Sequence, residues 1–154
     1  MDNERAQLVD NIRIAIAGQK TEKEILESVV ELLDGFSENF NWTGFYMLRE
    51  GVLEVGPYIG PKTEHTRIAL GQGICGAAAE KKQTIVVDDV TADARFLACS
   101  LTTRSEIVVP LMDGERCLGQ IDIDSDRSNN FTAEDRKMLE EVAAVVVKRL
   151  NHIQ

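Results

Sequence analysis

Asp113-Gly114 separates two runs rich in apolar and β-branched residues, Glu106 to Met112 and Cys117 to Asp124. An Asp-Gly pair between such runs is a strong hairpin signal, because both residues tolerate the backbone angles of a tight turn. A hairpin commits its two strands to antiparallel pairing, which restricts the chain to folds containing such a sheet. Trp42 to Leu48, Leu53 to Tyr58 and Thr84 to Val87 have the same character. Glu50-Gly51, Gly60-Pro61 and Ser128-Asn129-Asn130 supply turn signals around these runs.

The rest of the patterning is helical. From Glu4 to Ala17, Leu8, Ile12 and Ile16 recur on one face, and Gly18 supplies a stop. Thr21-Glu22-Lys23-Glu24 has the capping-box pattern, and Ile25, Val29, Leu32 and Leu33 follow at helical spacing until Gly35. Gly73 to Lys81 opens on glycines and continues in good helix formers, which predicts a short helix. Asp88 to Ser105 has no strong periodicity and reads as a long loop, a kind of segment that often carries function. Thr132 is a good N-cap for a last helix bearing Met138, Leu139, Val142, Val145, Val146 and Leu150.

Helix, helix, strands, short helix and loop, two strands, helix is the order of an α+β domain with an antiparallel sheet and helices on one side. The length of 154 residues suits one domain spanning residues 1–154, with a single core. The terminal amphipathic helices either cover the sheet or leave a face for a homodimer, and the sequence is compatible with both. A formal net charge of −9 argues against nucleic-acid and anionic-membrane partners, which need clustered Lys and Arg. No apolar run approaches the ~20 residues of a membrane span. Residues 1–18 carry early acidic groups and no uninterrupted apolar stretch, so no secretion signal is expected and a cytoplasmic location is.

In that compartment structural disulfides are rare, so the three cysteines are either buried small hydrophobes or redox and catalytic groups. There is no CxxC, and His65 and His152 are the two histidines, so the spacing advertises no metal site. Cys99 falls in the long loop with Arg95 and Arg104 as sequence neighbours. It is either a reachable thiolate or an unreactive loop cysteine. Cys75 stands between two flanking residues of a glycine-rich helix start (Gly73-Ile74-Cys75-Gly76). A helix N-terminus favours thiolate, whereas packing beneath the sheet would silence it. Cys117, inside a strand run, reads as a small core residue.

Asp122 and Asp124 alternate with Ile121 and Ile123, so both carboxylates project from one face of a strand. Two like charges this close raise at least one pKa, leaving a candidate general acid. Glu106 opens the partner strand and is placed beside them by the hairpin. The alternative is a solvated acidic strand end, the usual outer face of an antiparallel sheet. Trp42 and Tyr46 are core residues or the wall of a pocket for a methyl-bearing group.

Asn41-Trp42-Thr43-Gly44-Phe45-Tyr46, Gly56-Pro57-Tyr58, Gly71-Gln72-Gly73-Ile74-Cys75-Gly76, Ala98-Cys99, Ser105-Glu106-Ile107-Val108-Val109-Pro110 and Ile121-Asp122-Ile123-Asp124-Ser125 together resemble the free methionine-(R)-sulfoxide reductases, a family built on a GAF domain. The resemblance runs from about Asn41 to the last helix. It implies an antiparallel sheet of about six strands with the N- and C-terminal helices packed on one side. It also implies thiol-dependent reduction of free L-methionine-(R)-sulfoxide, with no cofactor. Cys99 matches the family's attacking cysteine, which would pass through a sulfenic acid. Cys75 matches the remaining family thiol, able to close a redox-active disulfide that thioredoxin or a similar dithiol reduces. Glu106, Asp122 and Asp124 match the carboxylates holding the free amino acid, one of them also a proton donor, and Trp42 and Tyr46 border its methyl end. Many members carry a cysteine where this chain has His65, and Asp where it has Ser100. The contrasting expectation is a non-catalytic GAF module that senses a small molecule or redox state, since one fold hosts many functions.

Overall fold

The structure, a computed structural model, describes residues 1–96 and 102–153. Two helices, α1 (Asn3–Ile16) and α2 (Glu22–Asp34), precede the strands β1 (Trp42–Arg49), β2 (Val52–Ile59) and β3 (Arg67–Ala69). Then come helix α3 (Gly73–Lys81), strand β4 (Ile85–Val87) and a single 3-10 turn at Val90–Ala92. The hairpin strands β5 (Ser105–Asp113) and β6 (Arg116–Ser125) and the long helix α4 (Ala133–His152) complete the order. All six strands pair antiparallel in the order β3-β2-β1-β6-β5-β4. Two differences from the sequence expectation stand out. β3 is an additional strand of three residues, and its alternation leaves only Ile68 buried. The 88–105 segment is not uniformly irregular, because it holds the 3-10 turn and the first residue of β5.

Local chemistry sets the helix starts. The Thr21 hydroxyl accepts from the Glu24 N–H and donates to the Glu24 carboxylate. Thr132 and Asp135 form a complete reciprocal capping box on α4. Asp135 also accepts from the Arg5 guanidinium at 3.0 and 2.7 Å, fastening α1 to the start of α4.

Strand alternation divides the core in two. One sheet face presents Phe45, Met47, Ile107, Val109, Ile121 and Ile123 to α2 and α4, with α1 packed over those helices. Each such fully buried aliphatic side chain contributes about 1.5–3 kcal/mol, so this layer dominates the fold's stability. The other face carries Trp42, Tyr46, Val108 and the acidic residues of β5 and β6, and α3 covers it. No helix among the described residues is long and apolar enough to cross a membrane.

Candidate active site

β6 is the centre of the α3-covered face. Register pairs Asp124 with Glu106 across β5 and with Trp42 across β1, and pairs Asp122 with Val108 and Gly44. Glu106, Asp122 and Asp124 therefore share one face, as strand alternation requires. They are not a solvated strand end: their exposures are 4%, 0% and 1%. Antiparallel outer faces are usually wet. Here α3 lies on top and removes the water.

Two glycines make that covering possible. A side chain at Gly76 would put its Cβ 2.4 Å from the Ala69 carbonyl oxygen, so only glycine lets the first turn of α3 press onto β3. Gly44 gives the same freedom on β1, where a Cβ would meet the Tyr58 Cβ at 2.4 Å and the Trp42 ring at 2.9 Å. Trp42 instead stacks on Tyr58, with centroids 4.9 Å apart, and on Tyr46 at 6.0 Å. The polar heads of two of these rings hold the loop between β2 and β3. The Trp42 indole N–H donates to the Pro61 carbonyl, and the Tyr46 hydroxyl donates to the His65 carbonyl.

With α3 seated, the Cys75 thiol points at the acids. Its Sγ lies 3.3 Å from Asp122 Oδ2 and 4.0 Å from Glu106 Oε2. A thiol has one hydrogen, and the shorter distance makes Asp122 its acceptor. Of the two readings open for Cys75, this setting favours packing beneath the sheet. Burial first, and then the charges of Asp122, Glu106 and Asp124, push the thiol well above its ordinary range. The helix N-terminus offers only about 0.3–1 kcal/mol against them. Burial likewise pushes the Asp122 carboxyl up, offset in part by hydrogen bonding from Glu106 and Cys75. No cationic side chain contributes to either shift.

These groups border a partly enclosed cavity of about 10 Å³, lined among the described residues by Tyr46, His65, Ile68, Ile74, Cys75, Glu106 and Asp122. That is room for about one water molecule. A larger open cleft of about 580 Å³ lies between the end of α3 and α4, bordered by Lys82, Thr84, Arg136 and Glu140. It gathers no thiol, and its Glu140 is engaged by Thr84 and Arg136, so the chemistry converges on the smaller cavity.

Of the residues singled out in the sequence, Cys75, Glu106, Asp122 and Tyr46 meet at the cavity, and Asp124 lies beside Glu106 on the same face. Trp42 is a stacked, buried neighbour of Tyr46 and is not among the described cavity-lining residues. Cys117 is buried on the same side of the sheet, a free thiol as Cys75 is. Cys99 and Ser100 lie outside the described residues. His65, noted in the sequence only as a departure from the family pattern, lines the cavity directly.

The GAF domain family matches residues 21–150. The chain is 34% identical over 145 residues to the free methionine-R-sulfoxide reductase of Escherichia coli, covering 94% of this chain and 87% of that protein. Among solved structures, a free methionine-R-sulfoxide reductase from Neisseria meningitidis in complex with its substrate superposes with a TM-score of 0.93 at 34% identity, over 99% of this chain and 93% of that one. A putative GAF sensor protein from Burkholderia vietnamiensis superposes at 0.90 with 35% identity, over 95% and 92% of the two chains.

Proposed function

The chain belongs to the GAF domain family and, within it, to the free methionine-R-sulfoxide reductases, and from that premise we propose that it reduces free methionine-(R)-sulfoxide to methionine by thiol chemistry. The observation that carries the reading is the buried face on which Glu106, Asp122 and Asp124 gather beside a thiol, with no cation acting on Cys75 or Asp122. Such a face calls for a small cation, and the α-ammonium of a free amino acid is one. Methionine sulfoxide inside a peptide lacks that charge, so the same groups select the free form. A plain small-molecule binding module would need no thiol set against these acids.

Cys99 takes the role of nucleophile through its match to the family motif. Its thiolate attacks the sulfoxide sulfur to form a transient sulfur–sulfur bond; the protonated oxygen passes from the substrate sulfur to the Cys99 sulfur as that bond breaks, so methionine leaves and Cys99 is a sulfenic acid. The sulfoxide oxygen needs a proton as that bond breaks, and the raised pKa of Asp122 suits it to donate one. Cys75 then attacks the sulfenic sulfur, forming a disulfide and releasing water. An external dithiol of the thioredoxin type supplies the two electrons that restore both thiols. Residues 1–154 act as one domain in this scheme. Because the cavity admits about one water, its wall moves aside when an amino acid binds.

The test is consumption of each epimer of free methionine sulfoxide with a dithiol present. The R epimer should be consumed and the S epimer left, with N-acetylmethionine-(R)-sulfoxide a poor substrate. Consumption of neither epimer would remove the enzymatic reading.

A further inference from the structure

The groups around Cys75 are arranged for more than an ammonium ion. Cys75 Sγ, one oxygen of Glu106 and one of Asp122 all lie within 4.8 Å of one another, and all three residues are buried. The sulfur-to-oxygen separations are 3.3 and 4.0 Å. A tetrahedral ion with sulfur at about 2.3 Å and oxygen at about 2.0 Å needs ligand atoms about 3.5 Å apart, which these two distances bracket. A second observation points the same way. Asp122 Oδ2 accepts from the thiol, while Oδ1 is buried with no hydrogen-bond partner among the described residues. An anionic oxygen left in that state carries a desolvation cost that a bound cation removes.

We propose that Cys75, Glu106 and Asp122 form a binding site for a zinc-class divalent cation. Binding would displace the thiol proton, since the thiolate is the form in which cysteine ligates a metal. No bond to sulfur is oxidised or reduced. The cation sits where the substrate's ammonium is proposed to sit. Zinc is therefore a competitive inhibitor of the reductase, and this second half of the proposal rests on the reading given under Proposed function.

The site is tested on the full chain, reduced with a phosphine and titrated with cobalt(II) or zinc(II). One equivalent should bind per chain, with a thiolate-to-cobalt charge-transfer band. Cys75→Ser should abolish the band, Glu106→Gln should weaken binding about tenfold or more, and Cys117→Ser should leave both unchanged. Thermal unfolding of each metal-free variant verifies that it is folded, and Asp122→Asn provides a second ligand variant should Cys75→Ser fail that check. No stoichiometric binding, or a band that survives Cys75→Ser, would overturn the site. Binding at Cys75 that free methionine sulfoxide does not displace would keep the metal site and remove the ammonium site from the same place.

Discussion

The Cys75 sulfur lies 3.3 Å from a carboxylate oxygen of Asp122, inside a face from which water has been removed. At that distance the thiol donates and a carboxyl oxygen accepts, and burial with the surrounding acids keeps the thiol protonated. A thiol kept protonated in this way is a poor initiator of attack. In the proposed cycle its turn comes after Cys99 has been oxidised, when a neighbouring base removes its proton as it closes on the sulfenic sulfur.

The two cysteines should therefore fail differently. Cys99→Ser should lose turnover entirely with the fold intact, as judged by thermal unfolding. Cys75→Ser should release one methionine per chain in a single burst and then stop cycling with thioredoxin. Rapid-quench product analysis separates the two. Sustained cycling by Cys75→Ser would pass the resolving role to Cys117 or an external thiol.

Recognition of the free amino acid should depend on the acids more than stability does. Glu106→Gln and Asp124→Asn are each expected to weaken binding of free methionine sulfoxide by about 1.5–3 kcal/mol, the worth of a charge-assisted contact. Neither should change the already weak binding of the N-acetylated compound. Calorimetric titration of both ligands checks this, and equal losses for the two would remove the carboxylates from ammonium recognition.

Asp122 costs stability at neutral pH, and the sign follows from its raised pKa. The folded state binds a proton more tightly than the unfolded chain does. Its contribution is thus fully present below the unfolded carboxyl pKa and is lost as pH rises through the higher folded value. Asp122→Asn should unfold at the same or a higher temperature than the natural chain at pH 7, with the difference narrowing toward pH 4, while its turnover falls. Parallel melting curves across that range are the measurement.

Gly76→Ala should displace α3, because its Cβ would lie 2.4 Å from a backbone oxygen that has no side chain to swing away. Loss of about 1–3 kcal/mol of stability is expected from overpacking of this kind. Because Cys75 is the preceding residue, resolving activity should fall further than stability does. Alkylation of Cys75 by a small reagent should quicken in the variant.

The strands with long β-rich runs and the helices with clear caps were legible because local pattern and tertiary role agree in them. Thr21 and Thr132 begin helices where the capping signals place them. β3 was not legible, since three residues with one buried side chain carry no period, and the strand exists only by pairing with Val52–Glu54. At the site, alternation put Asp122 and Asp124 on one face, and the hairpin put Glu106 beside them. The burial of that face was not visible, because it depends on a nonlocal cover. Gly44 and Gly76 were the local hints, residues needed only if something packs against them. The choice between the two readings of Cys75 turned on the same cover: a helix start favours thiolate only where solvent or a cation is near. The three metal-ligand candidates escaped notice because they come from α3, β5 and β6 and have no spacing in common.

The chain's single tryptophan has its indole face against Tyr58 and its N–H tied to the carbonyl of Pro61, four residues before His65. Any occupant that lifts the β2–β3 loop must also disturb that tether. The protein thus carries an intrinsic fluorophore fastened to the loop that brings His65 to the cavity, and a shift of that loop should register in its emission colour and lifetime.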